Sequence, residues 1–410
     1  MRFGVFYELQ LPRPWEPGDE QRLFHQALAQ VALADKLGYD YAWEVEHHFL
    51  DEYSHSSAPE VFLAAAAAQT KRIRLGHGIK QVIPNYNHPA RTAECLATLD
   101  IVSNGRVDFG FGEGATRLEL GGFKIPAREK RAMAIEAAEQ IANMMALTPY
   151  PGFEGKYFSM PCRNVLPKPV QAPHPPMWMA CTNRDTIKIA ASLGVGALAF
   201  SFVDPAEARK WADIYYGIIK SDECVPVGHT VNANIAMVSS FSVHRDRSEA
   251  IRRGHEGFEF FSYALNALVA HDTVPGRTNL WGEYLKLRGN RTEEVIADVE
   301  GISGRASGIG TPDDMRAHLK ALQDSGIDQV IFMQQAGRNK HEHICESLEL
   351  FASEVMAEFT AEVDARETCK QAELAPFIEA ALKRKNWMQP LADGDVPVVR
   401  ASVAKAQVNQ

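Results

Sequence analysis

Eight times along this 410-residue chain, a short apolar run is followed by a segment whose apolar residues recur at helical spacing. The runs are RFGVFYEL (2–9), YDYAWEV (39–45), IRLGHGI (73–79), GRVDFGFGEG (105–114), PMWMACT (176–182), GALAFSF (196–202), HTVNANIAMVSSFSV (229–243) and IDQVIFMQQ (327–335). Each reads as a strand. Helices are predicted over 21–38, 61–71, 89–103, 127–147, 184–194, 205–221, 311–326 and 340–359. Their ends carry matching punctuation: Gly38 closes the first, Pro89 opens the third, and Thr311 and Pro312 stand at the N-cap and first turn of the seventh. Eight strand–helix units in a chain of this size predict an α/β fold, an eightfold parallel β/α (TIM) barrel.

The barrel is expected to span 1–360, with insertions at about 149–175 and 246–308 and a C-terminal extension over 361–410. The first insertion belongs to the Pro-rich stretch TPYPGFEGKYFSMPCRNVLPKPVQAPHPP, too long for a plain connection. The second contains FEFFSYALNALV (258–269), which reads either as part of a mobile lid or as core packing. The extension is polar and mixed; FIEAALKRKNW (377–387) within it has helical character.

Composition removes several classes of function. A net charge of −9 with no long basic block argues against nucleic acid and anionic membranes as partners. No window approaches the roughly 20 apolar residues of a membrane span. The six cysteines are scattered with no C-x-x-C pair, which argues against a zinc ribbon or a disulfide framework and predicts a cytoplasmic protein.

The second strand runs into Glu46-His47-His48-Phe49. In the barrel reading this cluster stands at the C-terminal end of a strand, the face where barrel enzymes keep their chemistry. It can move protons, bind a metal, or be a polar strand end. Side chains alternate along a strand, so adjacent imidazoles diverge, and only Glu46 and His48 share a face. His55, His77 and His88 add no familiar ligand spacing, so a metal site is disfavoured.

Two further groups bear on a ligand. GFGEGA (110–115) formally matches a dinucleotide fingerprint, but the residues after it, TRLELGGFKIP, cannot form the uninterrupted helix that motif needs. Its glycines more plausibly let backbone approach a flat ligand. ACTNRDT (180–186), at a strand-to-helix turn, offers Thr182, Asn183, Thr186 and helix N-terminal N–H groups to an anion, with Arg184 adding charge; plain helix capping explains the same residues.

The chain resembles the bacterial luciferase-like flavin-dependent monooxygenases. The resemblance rests on MRFGVF, LADKLGYDYAWEVEHHF, NHPARTAECLATLDIVSNGRVDFGFGEG and GIGTPDDMRAHLKALQDSGIDQVIF, in that order, over roughly 1–358. It implies a non-covalent flavin, FMN, across the barrel mouth. His47 is implied as the imidazole beside it, with Glu46 and His48 in support. Cofactor contacts are implied at Gly78, Glu113, Gly114, Arg117, Thr182, Asn183 and Arg184, the phosphate lying near the last three. Where luciferase itself has an arginine contacting phosphate after strand four, this chain has Glu113, and Arg117 is the nearest replacement. The strand-five turn is also one residue longer than usual.

The implied reaction is monooxygenation of a small, mostly apolar organic substrate through a flavin hydroperoxide, with oxygen as cosubstrate. No nicotinamide-binding motif is evident, which favours a two-component system with a separate NAD(P)H-dependent flavin reductase. Hydroxylation, epoxidation and Baeyer–Villiger insertion are equally open. A deazaflavin-dependent hydride-transfer enzyme and a non-enzymatic flavin-binding protein are the alternatives on the same fold. Family members often pair through helices two and three; the small-residue helix VFLAAAAAQ suits such a homodimer or tight packing on the barrel wall.

Overall fold

The computed structural model describes residues 1–289 and 308–400. Eight parallel strands close a ring: β1 (Arg2–Tyr7), β2 (Tyr41–Glu44), β3 (Arg74–His77), β4 (Val107–Gly112), β5 (Met177–Cys181), β6 (Gly196–Ala199), β7 (Ile235–Ser240) and β8 (Gln329–Gln335). Pairing of β8 with β1, Gln329 opposite Arg2, shuts the ring. Around it lie α1 (Asp19–Leu37), α2 (Pro59–Gln69), α3 (Pro89–Val102), α4 (Lys130–Ala146), α5 (Arg184–Ser192), α6 (Pro205–Ile219), α7 (Pro312–Asp324) and α8 (His341–Phe351). The helix boundaries follow local chemistry. Gly38 takes a φ of 94° and donates its N–H to the Ala34 and Asp35 carbonyls. Thr311 and Asp314 form a reciprocal capping box ahead of α7, with Pro312 in its first turn.

Alternate side chains of each strand point into the ring. Phe6, Trp43, Trp178, Leu198 and Ile331 belong to one buried inner cluster. Phe3, Val5, Leu75 and Phe109 point the other way and pack with the helices. The inner space is filled by rings that need room: Trp43 and Trp178 meet edge-on with centroids 5.4 Å apart. Room comes from glycines on neighbouring strands. A Cβ on Gly76 would stand 2.2 Å from a Trp43 ring carbon, and one on Gly196 would stand 2.3 Å from the Trp178 ring. Gly76→Ala is therefore expected to destabilise the barrel by about 1–3 kcal/mol, the usual cost of overpacking, read from chemical denaturation with intrinsic tryptophan fluorescence. Below these rings Trp178 donates to Asp108 Oδ1 at 2.8 Å, and Arg74 pairs with the same carboxylate.

Several segments differ in extent from what the sequence predicts. The expected seventh strand, 229–243, is regular only over 235–240, followed by a short strand Ser242–Val243 that pairs with Ile309–Gly310. The expected eighth helix is α8 continued by a π-helical turn, Ala352–Met356. The 149–175 insertion holds an antiparallel hairpin, Tyr150–Glu154 with Ser159–Arg163. Within 246–308, a long helix Arg247–Ala270 and a second, Leu280–Gly289, cross the barrel mouth; the rest of that expected insertion, 290–307, lies outside the described residues. Buried Glu52, in the loop after β2, pins the second helix by accepting the backbone N–H groups of Leu280 and Trp281, the latter at 3.1 Å.

The extension contains a 22-residue helix, Val363–Arg384, longer than the helical stretch legible at 377–387; positions 401–410 lie outside the described residues. It packs on the opposite end of the barrel. Leu374 and Ala381 enter the main core. Lys370 bonds Asp328 at 2.9 Å and Asn234 at 2.6 Å, just before β8 and β7. Lys385 reaches the Pro226 and Val227 carbonyls and Glu139. Among the described residues, no helix is long and apolar enough to cross a membrane.

Candidate active site

At the C-terminal ends of the strands lies a cavity of about 500 Å³, within the size range of small-molecule sites. Its walls include Ile79, Met179, Phe200, Val238 and Met333 from the barrel, and its roof is Phe261 and Leu265 of the Arg247–Ala270 helix. Glu46, His47, Gly78, Glu113, Gly114, Thr182 and Asn183 border it; His48, Arg117 and Arg184 do not.

His47 enters because β2 alternates: Tyr41, Trp43 and Val45 join the inner cluster, and the next inward position is His47. Its backbone N–H is fixed on the Ser56 carbonyl at 2.8 Å. Its Nδ1 lies 2.9 Å from Glu119 Oε1, and its Nε2 lies 3.6 Å from Glu8 Oε2. The ring keeps 20 % of its side-chain surface open. Burial pulls its pKa down, but Glu8, Glu119 and Glu46 outweigh that and raise it from 6.5 to about 9.

Glu46 points away from His47 and anchors the loop. It accepts from Lys80 at 3.2 Å, Asn87 at 2.8 Å and the Gln81 N–H at 2.9 Å, and its Oε1 lies 3.1 Å from His48 Nε2. Burial works against its charge, yet these partners hold its carboxyl down to about 2. Glu46 thus bonds His48 directly and reaches His47 only through its field. The His48 ring itself lies against Tyr86 and Phe123, outside the cavity.

Neither Glu8 nor Glu119 is among the residues that the sequence singles out. Glu8 follows Gly4 and Phe6 as the next inward position of β1, a signal that strand alternation carries. Glu119 sits on a short helix, Arg117–Gly122, capped by Thr116. Thr-x-x-Glu is the capping-box spacing, and here the Glu119 carboxylate accepts the Thr116 hydroxyl at 2.8 Å.

The far rim is polar. Lys130 and Arg131, opening α4, border the cavity and pair with Glu113, at 3.3 and 3.1 Å. Thr182 and Asn183 also border the cavity, but the loop's backbone is already engaged. Thr186 Oγ1 accepts the N–H groups of Thr182 and Asn183, and Asn183 Oδ1 accepts that of Thr186. Capping therefore uses these N–H groups, and the cations facing the cavity come from α4. Arg184 makes a two-pronged ion pair with Glu207 on the outer surface, and Arg117 is exposed. No signal near Arg184 or Arg117 marks them as turned outward.

The donor set fits a flavin. Apolar walls suit a flat ring system, the α4 cations suit a phosphate, and the cavity edge carries an unpartnered buried acceptor, Gln81 Oε1, for a ring-edge N–H. Among the described residues, no three His, Cys, Asp or Glu side chains gather as a metal ligand set. His55 bonds Glu20, and His88 caps α3.

Known proteins resemble this arrangement along most of the chain. The chain is 25% identical over 382 residues to the oxygenase component of a flavin-dependent trigonelline monooxygenase from Acinetobacter baylyi, covering 89% of this chain and 98% of that one. The crystal structure of monooxygenase RslO1 from Streptomyces bottropensis superposes with a TM-score of 0.71 at 26% identity, covering 88% of this chain and 100% of that one. The coenzyme F420-dependent tetrahydromethanopterin reductase of Methanopyrus kandleri shares the fold, with a TM-score of 0.60 at 21% identity over 87% of this chain and 99% of that one. Residues 1–329 match the family model described as luciferase-like monooxygenase, so this chain, with its closed barrel, belongs to that family.

Proposed function

We propose that this protein is the oxygenase component of a two-component monooxygenase that uses reduced FMN, delivered by a separate NAD(P)H-dependent flavin reductase, and oxygen to oxygenate a small, mostly apolar organic substrate. The observation that carries this reading is the placement of His47, clamped between two carboxylates and facing a mostly apolar cavity with cations on its far rim. The Acinetobacter relative, named an oxygenase component, supports the division of labour.

FMN, when bound, supplies the activation of oxygen. The chain supplies the rest. Lys130 and Arg131, with the side chains of Thr182 and Asn183, would hold the phosphate in place of Glu113, with which the two cations now pair. Gly78 and Gly114 let backbone come close to the ring. Phe200, Phe261 and Met333 keep water from the reacting face. His47 holds and moves the proton, and Glu46 and His48 brace the loop that carries it. A homodimer through α2 and α3 is supported by exposed apolar side chains there, Val61, Ile101 and Val102.

The double variant Lys130→Ala/Arg131→Ala is expected to weaken FMN binding by about 10–100-fold, the effect of losing hydrogen bonds to a charged group, and to leave riboflavin binding unchanged. Fluorescence titration with both flavins reads the difference. A deazaflavin-dependent hydride transfer is the second reading, since the same fold serves the F420-dependent reductase. Anaerobic loading with reduced FMN or reduced F420, followed by ¹⁸O₂ and a small substrate panel, separates them. Label in product with FMN alone supports the monooxygenase; substrate reduction with F420 and no label replaces it.

A further inference from the structure

We propose that the exchangeable proton of this site is shared between His47 Nε2 and Glu8 Oε2, while Glu119 fixes the other ring proton on Nδ1 and takes no part in exchange. Glu119 Oε1 faces His47 Nδ1 at 2.9 Å and accepts the His48 backbone N–H at 3.1 Å. Its Oε2 accepts the Thr116 hydroxyl at 2.8 Å. A carboxylate surrounded by donors is an acceptor only, so Nδ1 must carry hydrogen. Burial would raise Glu119, but the bonds from His47, Thr116 and His48 hold it below its ordinary value.

With Nδ1 committed, Nε2 is the position that can gain or lose a proton. Facing it is Glu8 Oε2, which is buried and has no hydrogen-bond partner. The other oxygen of Glu8 accepts the Tyr53 hydroxyl at 3.1 Å. At 3.6 Å, Nε2 and Oε2 are just beyond hydrogen-bond distance, and a small side-chain rotation brings them together. Transfer breaks the Nε2–H bond and forms Oε2–H, leaving a neutral imidazole beside a neutral acid, with charge and atoms conserved.

The surroundings raise the proton affinity of both sites. Glu119 from the short helix and Glu8 just past β1 face His47, Glu46 in the loop after β2 acts on it through its field, and Tyr53 stands edge-on to its ring; Glu8 also interacts with Tyr53, Glu119 and buried Glu44. Burial raises Glu8 to about 7, with Glu119 adding and with His47 and Tyr53 opposing. His47 stands at about 9. The pair therefore holds two protons below about 7, one proton between about 7 and 9, and none above. In that window the one proton rests mainly on His47 Nε2, and the facing Glu8 Oε2 is the acceptor to which it can pass. This deepens the proposed function and rests on His47 facing the reacting ring.

The test is histidine ¹⁵N NMR of the flavin-free protein between pH 5 and 10, with ¹³C-labelled glutamate. In the wild type, His47 is expected to keep hydrogen on Nδ1 throughout and to lose the Nε2 proton near pH 9, while the Glu8 carboxyl titrates near 7. Glu8→Gln is expected to pull the His47 transition down by about one pH unit or more, and Glu8→Asp to restore part of it. Tyr53→Phe, which keeps the packing, is expected to raise the Glu8 transition. Glu119→Gln is expected to release Nδ1 and give mixed tautomers. A wild-type His47 transition between pH 6 and 7, indifferent to Glu8→Gln, overturns the shared proton. The measurement uses no flavin, so that result would leave the monooxygenase reading standing. An intact shared proton without oxygenation would fault the function alone.

Discussion

His47→Ala is expected to lower turnover by about 10²–10⁴-fold, the range for losing a positioned acid–base group, while FMN affinity stays close to wild type. The two effects separate because the groups assigned to the phosphate, Lys130 and Arg131, belong to α4, whereas His47 lies in the loop after β2. The substitution also leaves Glu8 and Glu119 facing each other without the cation between them, so each takes up a proton more readily. His47→Gln is the companion, since its amide can donate to Glu119 and still cannot titrate. Turnover with reduced FMN and oxygen, measured beside flavin fluorescence quenching, gives both numbers. Unchanged affinity together with unchanged turnover removes the proton role from His47. Flavin binding without turnover in the wild type itself makes the protein a carrier.

Lys80→Met is expected to destabilise the fold by about 3–5 kcal/mol, the cost of removing one partner from a buried ion pair. Lys80 and Glu46 keep only 2 and 3 % of their side-chain surface exposed. Lys80 also reaches Glu60, which is far more open, so the loss falls on Glu46. The pH dependence has a definite sign. Glu46 is depressed from 4.5 to about 2, so its stabilising contribution is complete above about 4.5 and disappears as pH falls toward 2. The gap between wild type and Lys80→Met therefore narrows over that interval in urea denaturation. Adding Glu46→Gln to Lys80→Met recovers part of the loss at neutral pH, because no charge is left stranded.

Much of the barrel is legible in the sequence because its cues are local. β4 is buried at every position, so GRVDFGFGEG reads as a strand without its neighbours. Gly38 and Thr311 end and begin helices by rules that involve only a few adjacent residues. The site is less legible because its partners come from distant elements. Glu207, which turns Arg184 outward, lies on α6, and nothing in ACTNRDT announces it. Glu119 hides in a stretch whose glycines and proline discourage a helix; six residues suffice to carry its carboxylate to His47. The 246–308 stretch conceals a 24-residue helix, Arg247–Ala270, because it is buried on two sides: Phe258 and Phe261 meet Phe202 at the barrel mouth and Phe260 meets Trp281 and Tyr284 of the neighbouring helix, which blurs the amphipathic pattern.

Closure of the ring by β1 against β8 has a consequence for synthesis. β1 is the first of the barrel strands to be synthesised, yet its partner, Gln329–Gln335, is the last. Until then the free edge of β1 presents unpaired N–H and C=O groups to whatever strand comes near. Closure of the barrel therefore waits for its last strand, and until that strand is made the open edge is exposed to the intermolecular pairing that makes slow, long-range sheets prone to aggregation.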